Sequence, residues 1–111
     1  MSAVIKLKQN WEFRRAFTRG KATVTPSFVV YVVKTGGTGV RLGISAGKKL
    51  GCAVQRDRAK RVLTAAFMQC LPHISRNCDV VLVARHRILS QKSTQVYNAL
   101  QNILMQNGIY E

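Results

Sequence analysis

Acidic side chains are nearly absent from this 111-residue sequence: four Asp and Glu stand against eighteen Lys and Arg, for a formal net charge of +14. With so few carboxylates there are no paired acids for general acid and base work. The two histidines offer no nucleophile with a base at motif spacing, so a hydrolase acting alone is excluded. Cysteine is scarce and odd in number: Cys52, Cys70 and Cys78 lack any C-x-x-C spacing. Free thiols in a reducing compartment fit this better than a disulfide framework. Cys70, His73 and Cys78 would supply three zinc ligands, but there is no fourth. Long apolar runs are also missing. The longest, Phe28 to Val33, is far too short to span a bilayer, and the N-terminal residues contain no apolar segment of signal-peptide length. A cytoplasmic protein without membrane contact is the expectation.

The rest of the composition is that of a folded protein: 47% apolar and 20% charged residues. The length suits one domain, residues 1–111, with a real core. A positive excess this large in so small a domain repels itself, and a polyanionic partner is the simplest compensation.

The excess is concentrated between Ser45 and Arg61, S-A-G-K-K-L-G-C-A-V-Q-R-D-R-A-K-R, where Lys48, Lys49, Arg56, Arg58, Lys60 and Arg61 fall within fourteen residues. Gly47 and Gly51 predict a non-helical connector with a helix beginning just after it. Ala59, Val62, Leu63, Ala66, Phe67, Cys70 and Leu71 then recur at helical spacing and form a core-facing stripe. Arg56 and Lys60 border that stripe, Arg58 and Arg61 point further outward, and only Asp57 interrupts them. A lysine-bearing loop entering the positive end of a helix, followed by arginines in its first turns, suits a polyanion. A merely solvated face would mix both signs of charge.

Along the chain, residues 1–9 predict an arm with little order. Asn10 can cap a short helix over Trp11–Thr18, with Phe13 and Phe17 four apart on one face and Gly20 as its stop. By spacing alone, those two rings suit the core or a ligand surface. Lys21–Thr25 reads as an edge strand closed by Pro26, and Ser27–Lys34 as a central strand that needs partial cover on both faces. The Gly36, Gly37 and Gly39 cluster suits a hairpin, followed by a strand over Arg41–Ala46 with Leu42 and Ile44 on one side. After the basic helix, Asp79–Ala84 is a buried strand, with Arg85 and Arg87 at its end. Ser93 can cap a last helix with Val96, Ala99, Leu100, Ile103 and Leu104 toward the core and Gly108 past its end. The predicted class is α+β, an α/β two-layer arrangement in the order αβββαβα. A basic module that binds RNA follows, with the particular RNA left open. A structural rRNA-binding protein of related fold would carry a long basic tail, which is absent. A DNA-binding module would show a helix-turn-helix pattern, which is also absent.

The stretch Leu42 to Arg61, L-G-I-S-A-G-K-K-L-G-C-A-V-Q-R-D-R-A-K-R, resembles the signature of the bacterial ribonuclease P protein component. That family carries a K-K-x-G-N-A-V segment and then an R-N-R-x-K-R box. F-R-R-A-F-T-R-G at Phe13–Gly20, F-V-V-Y at Phe28–Tyr31 and D-V-V-L-V-A-R at Asp79–Arg85 extend the likeness over nearly the whole chain. The resemblance implies a four-stranded mixed sheet with three helices and a left-handed βαβ crossover through the basic helix. It implies a protein subunit of ribonuclease P, whose RNA catalyses Mg²⁺-assisted removal of the 5′ leader from precursor tRNA, with no obligate protein partner.

Carried over position by position, Lys48 and Lys49 match the family's lysine pair. Arg56, Arg58, Lys60 and Arg61 match the box that faces the catalytic RNA. Phe13, Phe17 and Tyr31 match aromatics lining a cleft for the single-stranded leader, where Arg14, Arg15 and Lys60 could follow its backbone. Asp57 replaces the asparagine of the box, and could pair with Arg61 or hold a hydrated Mg²⁺. Cys52 replaces another asparagine, at the cost of an amide that might have capped the helix.

Overall fold

Residues 79–84 are apolar on both faces after Asp79 because they form the middle of a sheet. The computed structural model describes residues 5–6, 10–34, 39–74 and 77–110. Its strands are β1 (Ile5–Lys6), β2 (Lys21–Val24), β3 (Phe28–Lys34), β4 (Val40–Ser45) and β5 (Cys78–Ala84). Its helices are α1 (Asn10–Arg19), α2 (Ala53–Cys70) and α3 (Ser93–Gln106). The spatial order is β1-β4-β5-β3-β2. β5 runs parallel to β4 and antiparallel to β3, so the sheet is mixed, and α2 connects the two parallel neighbours.

Four strands and three helices are thus as expected. The fifth, β1, corrects the four-strand count: two residues carry no periodicity, and they become a strand only because the outer edge of β4 accepts them in parallel. The remaining residues of the expected arm, and most of the glycine hairpin at 35–38, lie outside the described residues.

Alternation along β3 and β5 sends side chains to two different cores. Phe28, Val30 and Val32 of β3 and Val80 and Leu82 of β5 pack with Ala59, Leu63 and Phe67 of α2 and with Leu100 and Leu104 of α3. Val81 lies on the other face with Tyr31, Val33 and Val83, beneath Ala16 and Phe13 of α1. The helices are therefore not confined to one layer: a single short helix partly covers the second face of the sheet, where Tyr31 remains half-buried.

Local chemistry fixes the joints. Gly20 donates its N–H to Ala16 O at 2.8 Å, and a Cβ at Gly20 would stand 2.4 Å from that oxygen. Glycine thus lets the chain leave α1 directly into β2. Gly51 has φ near 140°, in the region that favours glycine, and the Gln55 side chain folds back over it. The connector from β4 to α2 is partly helical, since Lys48–Leu50 make a 3₁₀ turn pinned by buried Leu50. At α3, Ser93 is the first helical residue and not the cap. Lys92 occupies that place, its N–H bonded to Gln95 Oε1 at 2.8 Å.

Candidate nucleic-acid interface

Lys48 and Lys49 stand exposed on the 3₁₀ turn, and α2 begins two residues after it. The N–H of Cys52 donates to Gln55 Oε1 at 2.9 Å, so the glutamine satisfies an amide at the helix entrance. The exposed Cys52 thiol meets the backbone amides of Gln55 and Val54, which hold its pKa below the usual thiol value. The lost asparagine amide is therefore partly replaced.

Arg58, Lys60 and Arg61 are exposed along α2, while Arg56 is half-buried, its Nε enclosed without a hydrogen-bond partner. Arg58 Nε reaches Leu89 O at 3.4 Å. Asp57 does pair with Arg61, at 3.5 Å, but both side chains are about 70% exposed. A pair so open to water is worth well under 1 kcal/mol and leaves either partner free to exchange.

Two cations missed by sequence reasoning extend this surface. One hollow beside α2 is lined by Arg58, Arg61 and Lys92, and another by Gln55, His86 and Arg87. The available signal was the run of cations after β5, thirty residues from the box.

The aromatic positions gather on the other face of the sheet. Phe17 meets Tyr31 edge-on with centroids 5.0 Å apart, and Phe13 stands 6.5 Å from Phe17. Phe17 is 44% exposed, while Phe13 and Tyr31 are half-buried. Open ring area of this kind can receive a base by stacking. Trp11, which sequence reasoning passed over, is 57% exposed in the first turn of α1, with the Arg15 guanidinium 5.4 Å from its ring centre. Arg14 is exposed on the same helix. Lys60 stands on α2, in the opposite layer, so it joins the cationic face and not the rings.

Arg15 is engaged elsewhere. It donates to Asp79 Oδ2 at 2.6 Å, and Arg41 grips the same carboxylate at 2.8 and 2.7 Å. Asp79 is 1% exposed. Its burial would raise the carboxyl pKa, but the hydrogen bonds and charges of the two guanidiniums outweigh that and hold it below the usual carboxylate range. Asp79 thus ties α1 to the start of β5.

The protein's own donors do not fit a dedicated Mg²⁺ site. Among the described residues no three His, Cys, Asp or Glu side chains come together, Asp79 is filled by two arginines, and Asp57 stands alone beside Arg61. Also among the described residues, no helix is long and apolar enough to cross a membrane.

A cationic helix on one layer and exposed rings on the other, carried by a mixed α+β sheet, are the features of a nucleic-acid-binding class of protein. The family model for ribonuclease P matches residues 1–107. A ribonuclease P protein component from Exiguobacterium is 31% identical over 111 residues, covering 100% of this chain and 96% of the relative. One from Natranaerobius thermophilus is 37% identical over 87 residues, covering 78% and 76%. The solved structure of the Staphylococcus aureus ribonuclease P protein superposes with a TM-score of 0.83 at 30% identity, covering 98% of this chain and all of that one. The chain belongs to the ribonuclease P protein family. It is a protein component of the ribonucleoprotein that processes tRNA 5′ ends.

Proposed function

We propose that this chain holds the ribonuclease P RNA through its α2 face and the 5′ leader of precursor tRNA across the rings of α1 and β3, assisting cleavage that the RNA itself catalyses. Lys48, Lys49, Arg56, Arg58, Lys60 and Arg61 supply the contacts to the catalytic RNA. Their charges meet backbone phosphates, a mode that gives affinity without reading sequence. Phe13, Phe17 and Tyr31, flanked by Arg14, take the single-stranded leader, because every base has a face to stack whatever its identity. The carrying observation is Phe17, an aromatic ring left 44% exposed beside Tyr31 where a core residue would be closed.

Mg²⁺ belongs in this reading to the RNA phosphates. Asp57, exposed beside Arg61, reaches at most a hydrated ion. A cytoplasmic location agrees with free thiols and with a tRNA-processing partner.

The test is reconstitution. Added to a bacterial ribonuclease P RNA at low Mg²⁺, the purified chain is expected to restore cleavage of precursor tRNA at its mature 5′ end. Absence of rescue, with the RNA active at high Mg²⁺, would refute the assignment.

A further inference from the structure

A third surface is used by neither face just described. Beyond the C-terminal half of α1, a hollow of about 720 Å³ is lined by Arg15, Arg19, Lys21 and Lys34, with Gln106 and Asn107 at the end of α3. Val32 and Val33 of β3 also line it, and none of its lining residues is aromatic.

This hollow is separate from the ring cluster. Ala16 is the buried contact of α1 with the sheet; Phe17, one residue on, turns to Tyr31, whereas Arg15, one residue back, turns to Asp79 beside Val33. Phe17 and the Arg15 guanidinium therefore leave α1 on opposite flanks, with the Trp11 ring on the Arg15 side, and Arg19 follows Arg15 one turn later. A strand lying on the rings must round the helix to reach the hollow.

Among the described carboxylates, Asp79 alone meets one of these four cations. Asp79 is shared between Arg15 and Arg41, and among the described residues no carboxylate pairs with Arg19, Lys21 or Lys34. The end of α3 contributes about half a negative charge. Ordinary surface neutralisation would place both signs here.

We propose that this hollow is a second phosphate-backbone site, taking the ribose-phosphate ridge of a structured RNA and not the single-stranded leader. Cations and two amides recognise phosphate and ribose oxygens, and none of the residues lining the hollow carries a ring for splayed bases, Trp11 standing outside it against Arg15. The ridge comes from either the ribonuclease P RNA or the body of the tRNA, which present the same chemistry. The proposal rests on the ribonucleoprotein reading above.

The test compares the parent with Arg19→Ala, Lys34→Ala and with the charge-keeping Arg19→Lys, Lys34→Arg, all checked for folding by circular dichroism. Salt dependence is measured for binding to ribonuclease P RNA alone, and for binding of leaderless and leader-bearing tRNA by the reconstituted holoenzyme. Removing two phosphate-binding cations should flatten the slope of log affinity against log salt by roughly 1.4 to 1.8, with the charge-keeping protein restored to the parent slope. Flattening on the RNA alone assigns the ridge to that RNA, and flattening on both tRNAs only in the holoenzyme assigns it to the tRNA. Unchanged slopes throughout, or a change confined to leader-bearing tRNA, would overturn the proposal. Should the double variant not fold, Arg19→Gln alone is measured, with half the change expected and the same outcomes decisive. A parent that fails to bind ribonuclease P RNA at all would instead sink the underlying reading.

Discussion

Asp79 and the three cysteines show how burial sets the chemistry of single residues. Asp79 is ionised inside the protein because two arginines make the charge cheaper there than the proton. Its folded pKa lies below the unfolded carboxylate value near 4, so its contribution is complete above about pH 4 and drains away as pH falls through the folded value. Asp79→Asn should cost roughly 2 kcal/mol at neutral pH by removing the buried carboxylate charge to which the partly exposed Arg15 and Arg41 donate. In urea titrations the gap between variant and parent should narrow in acid; a gap independent of pH would show that the carboxylate charge is not what ties α1 down. Burial acts oppositely on the thiols, pushing Cys70 up to about 12 and Cys78 to about 11, with the Asp79 charge adding to the second. Cys52, exposed at the start of α2, moves the other way. A thiol reagent near pH 7.5 should therefore label one cysteine rapidly in the native protein and three after unfolding. Rapid native labelling of two or three would contradict the packing described for β5 and α2.

At the scale of the element, α2 divides its circumference between a core and a cationic face. Ala59, Leu63, Ala66, Phe67 and Cys70 are closed, and the exposed arc of the helix's first half carries Arg58, Lys60 and Arg61. Because Asp57 and Arg61 pair only in water, the arc keeps nearly its full positive charge. Arg56→Ala with Arg58→Ala should weaken binding to ribonuclease P RNA and reduce the slope of log affinity against log salt by about 0.7 to 0.9 for each phosphate left without its cation. An unchanged slope in a folded double variant would move the RNA interface off this helix. Arg56 should matter beyond its charge, since its side chain is half-buried and its Nε is enclosed without a partner.

For the whole molecule, the sheet separates two kinds of recognition. Its α2 side carries exposed cations and its α1 side the rings of Phe13, Phe17 and Tyr31, which in the proposed function only an unpaired strand can use. Mature tRNA has no leader, so the holoenzyme should bind precursor more tightly than product, and a one-nucleotide leader should lose most of that advantage. Each stacked base is worth roughly 1 to 3 kcal/mol. Phe17→Ala and Tyr31→Ala should each remove about one such stack, lowering the preference for precursor tRNA by some fivefold to a hundredfold. Affinity for the catalytic RNA should stay near the parent value. Folded variants that discriminate as the parent does would return these rings to the core.

The order of helices and strands, the central place of β3 and β5, the buried stripe of α2 and its cationic remainder were all legible in the sequence, because each rests on a local period or a local excess of charge. The ring cluster was half legible. Spacing brought Phe13 and Phe17 to one face of a helix, but only packing against Tyr31 decided that Phe17 stays open. The tertiary structure alone decided β1, whose two residues take their form from a neighbour's edge. It alone decided the Asp79 clamp, which joins residues 15, 41 and 79, and the separation of Lys60 from the rings. Periodicity tells a residue which way to face within its own element; which charges meet across elements depends on how the sheet is ordered, and that is written in no local stretch of the chain.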